Sequence, residues 1–166
     1  EWFDFIYDSF GLFANESDYY VAGKDGKVAI FNKRGKMVSP EWFDDVNEEY
    51  GLVRGQSNLY IAMKDGKEAI FDVDGNQITK WFDRIEARDL VKGRSDYYIA
   101  CDGEECAVYH KNGQKVSEDF SREEIKKAKK ITFNDNLSIV ELFNEKRNLV
   151  KTIDFYPYKE EILDYT

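Results

Sequence analysis

The sequence is short of the residues that most catalytic and metal sites draw on. It holds one His, two Cys and two Pro among 166 residues. With a single His, any Ser-His-Asp or Cys-His nucleophile system would have to use His110, and no nucleophile motif accompanies it. Cys101 and Cys106 are too few for the disulfide framework of a small secreted domain. They also leave a zinc site two ligands short. Positive charge is outnumbered: 24 Lys and Arg stand against 33 Asp and Glu, a formal net charge of −9. That sign is wrong for phosphate-backbone binding, so no nucleic-acid partner is expected. No apolar run approaches the roughly 18 residues of a membrane span, so no membrane insertion is expected. No basic stretch followed by an apolar segment opens the sequence, and no signal peptide is visible.

Aromatic residues are abundant instead, with 12 Phe, 11 Tyr and 3 Trp in a chain that is 42% hydrophobic. A disordered chain is poor in such residues. The length fits one domain, able to bury roughly 70% of its unfolded surface.

The chain repeats itself. Trp2-Phe3-Asp4-Phe5-Ile6 returns as Trp42-Phe43-Asp44-Asp45-Val46 and as Trp81-Phe82-Asp83-Arg84-Ile85. Tyr19-Tyr20-Val21-Ala22 returns as Leu59-Tyr60-Ile61-Ala62 and Tyr97-Tyr98-Ile99-Ala100. Ala29-Ile30-Phe31 returns as Ala69-Ile70-Phe71 and Ala107-Val108-Tyr109. Gly35 returns as Gly75 and Gly113. Motifs kept in register at a fixed spacing are the signature of a repeat architecture. Asp25-Gly26, Asp65-Gly66 and Asp102-Gly103 lie between apolar, β-branched and aromatic runs, which signals hairpins. A further short strand is expected at Met37–Ser39 and Gln77–Thr79. Phe43 and Val46 are three apart, a spacing that fits a short helical turn better than a strand.

After Phe120 the pattern changes. Ser121-Arg122-Glu123-Glu124 reads as a capping box. Acids then lead and lysines follow, which predicts one short helix over Ser121–Lys130. Ile131–Phe133, a turn at Asn134–Asn136 and Leu137–Asn144 read as a degraded fourth hairpin, with Leu142-Phe143 in the place of Ile70-Phe71 and Arg147 in the place of Gly75. The expected fold is mainly β: tandem antiparallel hairpin or meander repeats of about 40 residues in one domain over 1–166. The units are 1–40, 41–80, 81–120 and an atypical 121–166. An open array is favoured over a four-bladed propeller-like ring, because ring closure rewards equal blades.

Val28–Asn32, Gly35-Lys36, Pro40, Phe43-Asp44-Asp45-Val46 and Tyr50-Gly51-Leu52 resemble the WG, or KWG, β-repeat of bacterial proteins. Pro157-Tyr158-Lys159-Glu160-Glu161-Ile162 resembles the opening of another unit. The dipeptide that names the family is Val28-Ala29, Glu68-Ala69 and Cys106-Ala107 here, so the likeness is to a divergent member. It implies a β-repeat array without enzymatic activity and supplies no ligand.

Each chemical candidate has a plain structural reading beside it. His110 occupies the position of Asn32 and Asp72, where polar side chains bond local backbone in turns. Asp72-Val73-Asp74-Gly75-Asn76 resembles the start of a calcium loop, but it lacks the distal Glu and reads as a hairpin turn. Asp4, Asp44 and Asp83 recur once per unit and are expected to cap local turns. Lys126-Lys127 and Lys129-Lys130 read as a solvated face. Cys101 and Cys106 flank a hairpin loop at the positions of Lys64 and Glu68. They could form a disulfide, although free thiols are the more expected state. Trp2, Trp42 and Trp81 recur at one spot per unit. They either project as a binding row or, the stronger reading, pack between units. No catalytic residue, metal or cofactor is expected. The function expected is a non-enzymatic protein-interaction or scaffold module, with the acidic second and third units as its contact surface. The alternative is a carbohydrate or cell-envelope binder that uses the repeated Trp residues.

Overall fold

A computed structural model describes residues 2–159 of the chain; Glu160–Ile162, part of the stretch that resembles the opening of another unit, lie outside them. In the first unit, β1 (Phe5–Ile6), β2 (Tyr19–Lys24) and β3 (Lys27–Asn32) form an antiparallel sheet in that order. β4 (Asp45–Val46), β5 (Leu59–Lys64) and β6 (Lys67–Asp72) repeat it. β7 (Arg84–Glu86), β8 (Tyr97–Asp102) and β9 (Glu105–His110) repeat it again, with β10 (Phe120–Ser121) on the far side of β9. Asp25 and Gly26 both take positive φ, as do Asp65 and Gly66, the backbone a two-residue hairpin needs to follow the strand twist. The third hairpin turns one residue later, through Gly103 and Glu104, with Asp102 paired to Glu105.

Phe43–Val46 is not a helical turn. Phe43 N–H donates to the Val28 carbonyl (2.7 Å) and the Val28 N–H to that of Phe43 (2.8 Å). One residue on, Asp44 N–H donates to Met63 of the next sheet (3.0 Å), and Val46 pairs with Ala62. The segment is an extended strand that leaves one sheet and joins the next at Asp44. The change of sheet resets the side-chain alternation, so two residues three apart are both buried. Phe82 and Ile85 repeat the arrangement, with Phe82 bonded to Glu68 and Ile85 opposite Ala100.

The expected strands at Met37–Ser39 and Gln77–Thr79 shrink to single bridges, Met37 with Phe31 and Gln77 with Phe71. A side chain replaces the ladder there. The buried Ser39 hydroxyl accepts the Ile30 N–H (3.2 Å), Thr79 accepts from Ile70 (3.1 Å) and Ser117 from Val108 (2.8 Å). Removing such an acceptor leaves a buried donor unsatisfied. Thr79→Val is therefore expected to lower the unfolding free energy by about 1–3 kcal/mol, read from urea denaturation, while Lys36→Ala, at an exposed turn position, leaves it unaltered.

The helix is shorter than expected: α1 (Arg88–Val91) is a single turn in the third unit, and α2 is Arg122–Lys126. Ser121 does cap α2, its hydroxyl accepting from Glu123 N–H (3.2 Å). α2 ends early because Lys129 N–H already pairs with the Phe143 carbonyl (2.8 Å). The chain thereby enters the fourth sheet, β11 (Lys130–Asn134), β12 (Ile139–Phe143) and β13 (Leu149–Asp154).

The four sheets follow one another in series. Val21 and Ile30 of the first pack against Tyr60, Ala62 and Phe71 of the second. Ile61 and Ile70 pack against Tyr98 and Ala100 of the third. Ile99 and Val108 pack against Val140, Leu142 and Ile153 of the fourth. No apolar cluster joins the first sheet to the fourth among the described residues. β12 alternates buried and part-buried residues, unlike the interior strands, which are buried on both faces. Its outward face carries Thr132, Glu141 and Thr152 in a central cross-strand row, flanked by the part-buried Ile139 and Phe143 and the exposed Leu149.

Candidate functional site

The recurring carboxylates are structural ties. Asp4 accepts the Asp25 N–H (2.8 Å), Asp44 the Asp65 N–H (2.7 Å) and Asp83 the Gly103 N–H (2.6 Å). Each therefore caps its unit's hairpin some 20 residues ahead, not a local turn. Asp44 also pairs with Lys27, and Asp83 with Lys67 (3.1 Å), so each bridges its sheet to the preceding one. Lys27 and the Asp65 N–H hold the Asp44 carboxyl below its ordinary range. The Gly103 N–H and Lys67 do the same for Asp83. Asp44 and Asp83 are thus held in their charged form by fixed donors, in separate units.

His110 is buried at the turn. Its Nδ1 accepts the Asn112 N–H (3.2 Å), the role Asn32 plays for Arg34 (2.9 Å) and Asp72 for Asp74 (2.9 Å). Its ring stacks on Tyr158 (3.9 Å between centroids) and meets Tyr97 edge-on. Asp72 also accepts from Asn76 N–H (2.9 Å), so its loop is the same hairpin turn. Arg147, in the place of Gly75, likewise takes positive φ, and Asn144 accepts the Lys146 and Asn148 N–H groups as Asp72 accepts those of its own turn.

Cys101 and Cys106 form a disulfide and are not free thiols. The shift of the third hairpin puts Cys101 at the position of Met63, not Lys64, directly opposite Cys106. The two sulfurs thus start from adjacent strands. Among the described residues no three His, Cys, Asp or Glu side chains gather as a metal site would require.

One feature repeats between units without a signal that sequence reading used. Ser17 donates to the Val53 carbonyl (2.6 Å) and Ser57 to that of Val91, while each accepts an N–H two residues on. Ser95 donates to Asp135 of the fourth unit (2.6 Å). Arg54 adds a tie to Glu16 (3.0 Å). The signal was available: Ser17, Ser57 and Ser95 recur at the repeat spacing. Glu86, part-buried between the second and third units, has its carboxyl pushed up by burial, with Arg84 and Arg88 opposing the shift.

The three Trp residues divide into two kinds. Trp42 lies edge-on to Phe31 of the preceding unit (5.8 Å), and Trp81 packs on Phe71 (5.7 Å) and Phe43 (6.2 Å). No described sheet lies against Trp2, which is 90% exposed. Its neighbours are open as well. Ile6 is 42% exposed where Val46 is 2%, and Phe13 is 50% exposed where Val53 is 1%. Phe5, paired with Gly23, is also exposed, and its ring lies where a Cβ on Gly23 would be. Phe3 and Phe13 fold over Phe31 and Tyr20 and cover the middle of the first sheet. The residues of this apolar face are Trp2, Ile6 and Phe13, while Phe5, next to Ile6 in β1, points to the opposite side.

No protein-family model matches the sequence, and no curated protein matches it. Among solved structures, Hsv2 of Kluyveromyces marxianus overlays with a TM-score of 0.49 at 12% identity, over 89% of this chain and 47% of that one. Hsv2 of Kluyveromyces lactis overlays with a TM-score of 0.40 at 13% identity, over 78% of this chain and 39% of that one. The chain thus spans less than half the length of these proteins.

Proposed function

We propose that this chain is a non-catalytic repeat module that binds a protein through the uncovered end of its first sheet. The observation that carries the reading is the contrast along the array. Ile6 and Phe13 are open at positions that are buried in the second unit, whereas the centre of the fourth sheet's outer face is the polar row Thr132, Glu141 and Thr152. An apolar patch rimmed by polar residues marks an interaction surface, and Trp is favoured as an anchor there. Support for a non-catalytic role comes from the carboxylates: each is tied to its own turn, while catalysis needs groups that converge on a substrate atom. The units read as divergent WG-type repeats in which the small residue is kept, since Ala29 and Ala69 are fully buried.

The test is capture of a partner by wild type, Trp2→Ala and Phe13→Asp, each checked by circular dichroism and thermal melting. Trp2→Ala lies on an open face and is expected to change stability by no more than about 0.5 kcal/mol; Phe13→Asp also loses the ring pair with Tyr20, about 0.5–1.5 kcal/mol, and both variants should stay folded while losing capture. Undiminished capture by both folded variants would refute this surface.

A second reading rests on Trp42, which lines an open groove with Lys24, Asp25 and Lys27. An aromatic face beside polar groups suits a sugar ring. Glycan binding that Trp42→Ala abolishes, with the fold intact, would favour it.

A further inference from the structure

The open end has a defined complement. Wherever one unit follows another, the same set of contacts forms. The Phe of the following unit exchanges two backbone hydrogen bonds with the outer strand of the preceding sheet: Phe43 with Val28, and Phe82 with Glu68. The following Trp reaches back to a ring of the preceding sheet, Trp42 to Phe31 and Trp81 to Phe71. A Val/Ile or Ile/Ile pair of the preceding sheet covers the following Val46 or Ile85. A Ser of the preceding unit donates to the following carbonyl of Val53 or Val91. Phe3, Trp2, Ile6 and Phe13 stand at these four positions in the first unit. Phe3 has no strand bridge among the described residues, and the other three are exposed.

Building on the protein-binding reading, we infer that the occupant of this face is a β-sheet of the same build. It would add its outer strand to Phe3, a β-augmentation. It would seat Trp2 on a ring, cover Ile6 with a β-branched pair, and donate a Ser hydroxyl to the Phe13 carbonyl. A second copy docking by its last sheet does not offer this. That sheet's apolar outward residues, Ile139, Phe143 and Leu149, lie at the flanks, and the centre is Thr132, Glu141 and Thr152, where the repeat places apolar residues.

The test supplies such a sheet. A copy of residues 41–79 is placed directly before Glu1, so that Trp2 follows it in the register in which Trp81 follows Thr79 and Lys80. Ile6→Cys serves as the reporter, since both native cysteines are in the disulfide. A thiol reagent should label the introduced cysteine readily in the parent chain and lose that labelling in the extended chain. Ser57→Ala within the added copy should partly restore it. A second extension, a copy of residues 1–79, brings the same sheet with its own preceding unit. Undiminished labelling in both extended chains overturns the inference, whether the added residues fold apart or stay unfolded, because a face built for such a sheet should order it. Protection of the thiol in the parent chain together with a dimer in sedimentation would assign the face to a second copy. That result would remove this occupant and leave the protein-binding reading standing. Failure of Trp2→Ala and Phe13→Asp to affect capture would remove the reading itself.

Discussion

Phe71→Ala should lower the unfolding free energy by about 3–5 kcal/mol, the usual cost of emptying a core aromatic site. Phe71 is 1% exposed. It stacks on Tyr60 (5.8 Å) and packs against Phe43 (5.0 Å) and Trp81 (5.7 Å). Those partners come from the second sheet, the linking strand and the start of the third unit. One truncation therefore loosens the contact between the first two sheets and frees the Trp that closes its edge. Urea denaturation followed by circular dichroism reads the effect. An unchanged midpoint would place Phe71 outside the core.

Gly51→Ala should be far more damaging than Gly66→Ala. Gly51 sits at φ +103°, where a side chain is strained, and a Cβ there would lie 2.7 Å from the Leu59 carbonyl oxygen. The strain costs about 1–3 kcal/mol, and relieving the overlap about 1–3 kcal/mol more. The Leu59 backbone belongs to β5 and has little room to move. Gly66 is the control: its φ is +77°, but nothing lies within 4 Å of an added Cβ. Gly66→Ala keeps only the left-handed penalty of about 1–2 kcal/mol. Equal losses at the two sites would show that the contact with β5 is not tight.

The hairpins were legible because each carries its own turn chemistry. Asp25-Gly26 and Asp65-Gly66 need nothing from the rest of the fold to specify a two-residue turn. His110 was legible for the same reason, since its role is local and repeats that of Asn32 and Asp72. The strand at Phe43–Val46 was not, because its spacing is set by a change of sheet at Asp44, which is a tertiary event. The disulfide depended on where the third hairpin turns. A one-residue shift moves Cys101 opposite Cys106, and sequence spacing alone leaves that register open. Ser39, Thr79 and Ser117 could have been found, since a small hydroxyl recurs nine residues after Ile30, Ile70 and Val108. The candidate site was half legible. Sequence treats Trp2, Trp42 and Trp81 as equivalents, whereas their exposure depends on which sheets they pack against.

Acrylamide quenching of three single-Trp variants tests the central claim, an array whose first sheet is left open at Trp2 among the described residues. Each variant keeps one Trp and carries Phe at the other two positions. Trp2 should be quenched nearly as freely as indole in water, and Trp42 and Trp81 much less. A Trp2 as protected as Trp81 would contradict the open end, and three equally quenched residues would contradict the packing of Trp42 and Trp81 between sheets.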